Sequence, residues 1–204
     1  MIINKSKIIG FFGRGDIMDE VTYVVELLKG TNIATSQYGG TNTWAGSISS
    51  LSIPAAHQVT PTIIDIRNMT KNKGRAYDLS TAASGESSSD LIVVFEDSQT
   101  LNYPTVPFNI RNETYTLTLH IRTIQDDRGA SDANFARNRL ENLYKIVQHR
   151  IDANRKGAKV TVSGDSNSFD LIYLRGRTES NDRAKRLFGY KVQIELQKYA
   201  VALP

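Results

Sequence analysis

The stretch YTLTLHIR, residues 115–122, alternates polar and apolar side chains without a break. A second stretch near the C-terminus, YKVQIELQ at residues 190–197, shows the same period of two. Strict alternation is typical of a β-strand that buries one face and leaves the other face polar. We therefore predict that these two strands belong to one sheet with a buried face and a polar face.

Two amphipathic helices are predicted to cover the buried face of this sheet. Apolar residues recur at helical spacing over residues 16–29 and again from residue 131 to about residue 155. Asp16 is expected to cap the start of the first helix, and Gly30 is expected to end it. Ser131 or Asp132 is expected to cap the start of the second helix.

Weaker patterns complete the predicted fold. Further strands are predicted at residues 62–67, 91–96, 159–162 and 169–175. The run LIVVF at residues 91–95 is apolar throughout, which is typical of a central strand that is covered on both faces. Residues 31–60 and 68–90 are expected to form long loops. The prediction is one α+β domain over residues 1–204, with a mostly antiparallel sheet, two α-helices packed on one face, and long loops or hairpin extensions.

The composition is that of an ordinary globular protein. The 204 residues are 40% hydrophobic, and 25 basic residues face 21 acidic ones for a net charge of +4. The chain has no cysteine, which excludes disulfides, thiolate metal sites and cysteine nucleophiles. It has no apolar run of the roughly 20 residues that a membrane span needs, and no signal-peptide pattern at its start. We expect a soluble product with no membrane partner.

The stretch GFFGRGDIM, residues 10–18, allows three interpretations. It could be a phosphate-binding glycine loop, an Arg-Gly-Asp adhesion tripeptide, or the entrance to the first helix. A dinucleotide fingerprint needs a third glycine or alanine where Met18 stands, and it needs a βαβ unit that does not follow here. We favour the helix entrance, and a small nucleotide-binding enzyme that uses the turn from Gly13 to Asp16 remains the alternative of a different class.

Other catalytic patterns are weak. The three histidines, His57, His120 and His149, do not stand at metal-ligand spacing to one another or to an acidic residue. No serine occupies a nucleophile elbow. We therefore predict no enzymatic activity, no metal and no cofactor.

One group of basic residues stands apart from the rest. It has no acidic neighbour between Asp65 and Asp78 and consists of Arg67, Lys71, Lys73 and Arg75. A basic loop of this kind can contact phosphates without reading sequence. We predict that these four residues contact DNA or an acidic partner.

The second half of the chain combines three features in a fixed order. A strand ending in HIRTIQDDRG leads to the helix ANFARNRLENLYKIVQHRID, and the segment RTESNDRAKRLFGYKVQIELQKYA follows with the last strand. This order resembles the tail terminator proteins, and the neighbouring tail-completion proteins of the neck, of tailed bacteriophages and related archaeal viruses. The resemblance covers roughly residues 91–200, and the helix at 16–29 occupies the place of the family's first helix.

The resemblance implies a virion structural protein of the tail and neck that is assembled in the host cytoplasm. Such a protein forms a homohexameric ring that caps the tail tube and joins it to the head. The implied partners are the tail tube protein, a head-completion or connector protein, a sheath protein where the tail has one, and DNA that passes through the lumen without sequence preference. Another head-to-tail connector or head-closure protein is the alternative within this class.

The polar face of the strand at residues 115–122 is the predicted contact surface in such a ring. Four side chains lie there, available to a neighbouring subunit or to the lumen: Thr116, Thr118, His120 and Arg122. A cyclic ring needs head-to-tail contacts between unlike surfaces, and a polar strand face can supply one of them.

Overall fold

A computed structural model of the protein describes residues 18–30, 33–34, 43–65, 90–102, 110–124, 134–156, 158–181 and 187–201. Within these ranges the α-helices are α1 (Glu20–Lys29), α2 (Trp44–Ser50) and α3 (Phe135–Ala153), and a short 3-10 helix spans Ala55–His57. The strands are β1 (Ile33–Ala34), β2 (Thr62–Asp65), β3 (Leu91–Asn102), β4 (Ile110–Ile124), β5 (Lys159–Val162), β6 (Asp165–Asn167), β7 (Leu171–Glu179) and β8 (Leu187–Val201).

Within the described ranges, the main sheet has five strands in the order β2-β3-β4-β8-β7. Only β2 and β3 run parallel, and the other neighbours are antiparallel. β4 and β8 pair along their whole length, from Ile110 opposite Val201 to Ile124 opposite Leu187. β1, β5 and β6 form a separate three-stranded sheet. The predicted α+β class with a mostly antiparallel sheet is therefore confirmed.

The hydrophobic core lies between one face of the main sheet and the helices. α1 contacts β2 and β3, whereas α3 contacts β4, β7 and β8. On β4 the apolar residues of the alternating stretch, Leu117, Leu119 and Ile121, are at most 1% exposed and belong to this core. We call this the inner face of the sheet and call the opposite side the outer face. The first four residues of β3 are all buried, as expected for a central strand.

The N-terminal caps of α1 and α3 differ from the predicted ones. Helix α1 begins at Glu20, and the carboxylate of Asp19, not that of Asp16, accepts a hydrogen bond of 2.9 Å from the backbone N–H of Thr22. Gly30 ends the helix as predicted, with φ 75° in the left-handed region that favours glycine. Helix α3 begins at Phe135 after Asn134, so neither Ser131 nor Asp132 is its N-cap. Asp16 and residues 131–133 lie outside the described residues.

Strand β1, helix α2 and the 3-10 helix lie inside the segment 31–60, for which the sequence predicts a loop. That prediction is wrong for these residues, and helix α2 is the longest of the three elements. Its sequence, WAGSISS, is poor in strong helix formers, and tertiary contacts hold it in place. The hydroxyl of Thr43 caps it by accepting from the N–H of Gly46 at 3.0 Å. The buried indole of Trp44 donates to the carbonyl of Val59 at 2.7 Å.

The buried Arg150 of α3 joins that helix to α1 and α2. One end of its guanidinium donates to the carbonyl of Leu27 in the last turns of α1 at 2.7 Å, and the other reaches the Ser47 hydroxyl of α2 at 3.5 Å. The last carbonyls of a helix have no partner within the helix, so a cation placed there satisfies one of them. Burial lowers the pKa of Arg150 to about 10.

Candidate assembly surface

The outer face of the main sheet carries a row of mostly polar side chains. The register places Thr116 opposite Glu195, Thr118 opposite Gln193, and His120 opposite Lys191. Lys191 and Gln193 are exposed, and the three β4 residues are partly exposed. A face of this kind can remain hydrated or can meet another protein through hydrogen bonds.

The four residues predicted to form this contact surface share one face but differ in accessibility. Thr116, Thr118 and His120 are partly exposed, whereas Arg122 is only 3% exposed. The imidazole of His120 stacks at a tilt on the ring of Phe95 on β3, with ring centroids 4.4 Å apart. Thr118, His120 and Arg122 also interact with other parts of their own chain. Arg122 therefore could not reach a neighbour without a rearrangement, and the role of the set stays a prediction.

A hydrogen-bonded carboxylate lies beside this row. Glu195 is 8% exposed on the outer face and receives the Nε–H of Arg175 at 2.6 Å and the hydroxyl of Tyr173. The side-chain amide of Gln197 donates to Glu195 at 2.9 Å and to the Tyr173 hydroxyl at 2.7 Å. Burial acts to raise the pKa of Glu195, but the hydrogen bonds from Arg175, Tyr173 and Gln197 outweigh it and lower this pKa.

A second carboxylate cluster lies on the inner face, where α3 meets β7. Glu141 receives Arg177 at 3.0 Å and also the hydroxyl of Tyr190. The guanidinium of Arg177 lies 4.4 Å from the ring centre of Tyr144 and 4.5 Å from that of Tyr190. Burial acts to raise the pKa of Glu141, but the hydrogen bonds from Tyr190 and Arg177 lower it overall. Burial is the main cause that raises the pKa of Tyr190 to about 12.

Strand β7 forms one edge of the main sheet, and its two halves differ. In the first half, the N–H of Ile172 donates to the carbonyl of Arg155 just after α3, at 3.1 Å, so the chain itself covers this part of the edge. The register then shifts between Leu174 and Gly176, which marks a β-bulge. All five residues from Arg175 to Glu179 are exposed.

A buried ion pair lies away from these surfaces. Asp90, just before β3, is 3% exposed and binds the guanidinium of Arg139 on α3, which is 5% exposed. The Arg139 guanidinium also lies 5.3 Å from the ring centre of Phe135. This pair fixes the start of α3 against the start of β3, so we assign it a structural role.

Two sets of predicted functional residues lie outside the described residues. These are the basic residues Arg67, Lys71, Lys73 and Arg75, and the turn from Gly13 to Asp16. Their predicted roles stay predictions.

The comparisons with known proteins add no family. No protein-family model matches the chain, and no curated protein matches its sequence. Within the described ranges, no three His, Asp or Glu side chains are grouped so that they could hold a metal ion. None of the helices in those ranges has both the length and the apolar character needed to cross a membrane.

Proposed function

We propose that this protein is a virion structural protein of the tail terminator kind, which forms a ring that caps the tail tube and joins it to the head. The order of β4, α3, β7 and β8 along the chain supports this proposal. It is the order on which the resemblance to tail terminators rests, and the three strands form adjacent parts of one sheet with the helix on its inner face.

The outer face is the observation that carries the proposal. Its centre presents hydrogen-bonding side chains from β4 and β8, including the exposed Lys191 and Gln193. Such a surface can meet a different surface of the next subunit, and repetition of one such contact closes a ring when the rotation closes. A polar contact of this kind also suits subunits that must stay soluble before they assemble.

The mass of the purified protein in solution tests the proposal. Light scattering should give about 136 kDa, six times the 22.7 kDa of one chain, and negative-stain images should show rings. If the ring forms only on a template, it should appear when the protein is mixed with the tail tube subunit, and the tubes should then stop growing. A protein that stays monomeric and leaves tube length unchanged would refute the proposal.

A pair of charge variants tests whether the outer face makes the contact. Replacing both Lys191→Glu and Gln193→Glu should abolish rings, because two new negative charges would enter the interface. Lys145→Glu combined with Gln148→Glu is the matched control, since both residues are exposed on helix α3 and the pair changes the net charge equally. Rings that survive the outer-face change as well as the control would show that another surface joins the subunits.

Genome position and co-purifying partners separate a tail terminator from a head-closure protein. A tail terminator should bind the end of the tail tube. A head-closure protein should bind the head-side connector and leave tube length unchanged.

A further inference from the structure

Within the described ranges, no other strand pairs with the outward edge of the exposed half of β7. The N–H of Ser180 donates to the carbonyl of Gly189 at 2.8 Å, so Ser180 directs its backbone groups towards β8. The backbone N–H and C=O groups of successive residues in an antiparallel strand point to opposite edges of the strand. Those of Thr178 therefore also point towards β8, and those of Arg177 and Glu179 point away from the sheet. The side chains of Arg177 and Glu179 both lie on the inner face, because their partners Val192 and Tyr190 do.

We propose that two copies of this chain associate by antiparallel pairing of their β7 edges about a two-fold axis at Thr178. Arg177 of each copy would then lie opposite Glu179 of the other copy. These are the residues whose backbone groups point outward, so each opposite pair can exchange two backbone hydrogen bonds. The two main sheets would become one continuous sheet across the axis.

The charges select this register over its neighbours. A two-fold axis at residue 177 would place Arg177 opposite its own copy, and an axis at residue 179 would do the same for Glu179. Like charges directly opposite one another destabilise a strand pair, whereas opposite charges stabilise it. The axis at Thr178 avoids both of these like-charge pairs and places Arg177 opposite Glu179 on both sides, so the edge complements itself in this register.

The residues of this edge on the outer face near the axis, Gly176, Thr178 and Ser180, are small. Thr178 would lie opposite Thr178 of the second copy, and such threonine pairs are favourable between strands. Gly176 would lie opposite Ser180, and a side chain added at Gly176 would meet nothing within 4 Å in the single chain. Arg177 keeps its bond to Glu141 through Nη1, and the rest of its guanidinium can still reach a second carboxylate.

The contact is short, so the association should be weak. Charges on an edge strand usually deter pairing with other chains, and here they restrict it to one partner arrangement. The ion pairs lie near solvent, so added salt should weaken the dimer. This contact uses the strand edge, whereas the proposed ring uses the outer face, so the two proposals stand or fall separately.

A single cysteine tests the register directly. The chain has no cysteine of its own, so Thr178→Cys introduces the only thiol. Thr178 would form a non-hydrogen-bonded pair with its copy, with Cα atoms about 4.5 Å apart, a distance that a disulfide can span. Under mild oxidation this variant should form covalent dimers at least about tenfold faster than Gln148→Cys, because pairing raises the effective thiol concentration. Equal rates for the two variants would overturn the proposal.

A proline provides the second test. Glu179→Pro removes an N–H that points away from the sheet, so the monomer should keep its fold, since proline is tolerated on a strand edge. In the Thr178→Cys background it should reduce cross-linking to the rate of Gln148→Cys, whereas Glu179→Gln should keep part of the dimer and lose its salt dependence. Fast cross-linking that survives the proline in a folded protein would also overturn the proposal.

Discussion

The ion pair between Asp90 and Arg139 gives the sharpest test of how the core is held together. Both side chains are almost completely buried, so neither charge can regain water when its partner is removed. Arg139→Met keeps the length and apolar volume of the side chain but leaves the Asp90 carboxylate without its guanidinium. Removing one partner of a buried pair typically costs about 3–5 kcal/mol.

The cost should be measured by urea unfolding, with circular dichroism as the signal. Thermal unfolding gives a second measure of the same cost. For a chain of this length each kcal/mol lowers Tm by about 2–4 °C, so Arg139→Met should lower Tm by roughly 6–20 °C. The double variant Asp90→Leu with Arg139→Met removes both charges and should recover much of the loss, because apolar residues of similar volume often replace a buried pair at little cost.

Two outcomes would refute this reasoning. A loss below about 1 kcal/mol for Arg139→Met would mean that the pair behaves like a surface salt bridge. Additive losses in the double variant would mean that the two side chains are not coupled. The matched control is Arg137→Met, because Arg137 is exposed on the same helix and its loss should leave stability almost unchanged.

Three further predictions follow from other parts of the chain. Gly189→Ala should cost about 1–3 kcal/mol in urea unfolding, because an added Cβ would lie 3.0 Å from the backbone carbonyl oxygens of Ile121 and Ser180; an unchanged midpoint would contradict this. The lowered pKa of Glu195 means that its ionised form stabilises the fold above the usual carboxyl pKa, and that this contribution is lost as pH falls through the lowered pKa. Glu195→Gln should therefore flatten the acid side of the stability profile, and an unchanged acid limb would count against the assignment. Replacing the four basic residues of the 67–75 segment with glutamine should weaken DNA binding equally for all sequences and reduce its salt dependence, as a filter-binding salt series would show.

The sequence predicted the main sheet well because the period-two alternation follows from the pleat of the strand itself. It does not depend on which elements pack against the sheet. The two alternating stretches became the middle of β4 and of β8, and the helical period found α1 and α3. The caps were predicted less well. Asp16, Asp19 and Ser131 are all residue types that cap helices, and only the tertiary structure decides where the first turn begins.

Helix α2 shows why a local pattern can fail. Its serines and glycine have low helix propensity, so the sequence by itself predicts a loop here. Trp44 and Thr43 hold the helix through bonds within residues 43–59, and Ser47 meets Arg150, which is more than a hundred residues away in sequence. A propensity argument cannot include a partner at that distance.

The outer face shows the same limit for function. Alternation correctly placed Arg122 and Glu195 on the polar side of the sheet, but it specifies only the direction of a side chain and not its exposure. Both are nearly buried, and the guanidinium that neutralises Glu195 comes from Arg175, in the β-bulge between Leu174 and Gly176. The exposed positions Lys191 and Gln193 carry the same period-two signal as their buried neighbour Glu195. The accessible part of an assembly surface therefore has to be determined from the packing of the neighbouring strand, and the sequence limits it only to one face.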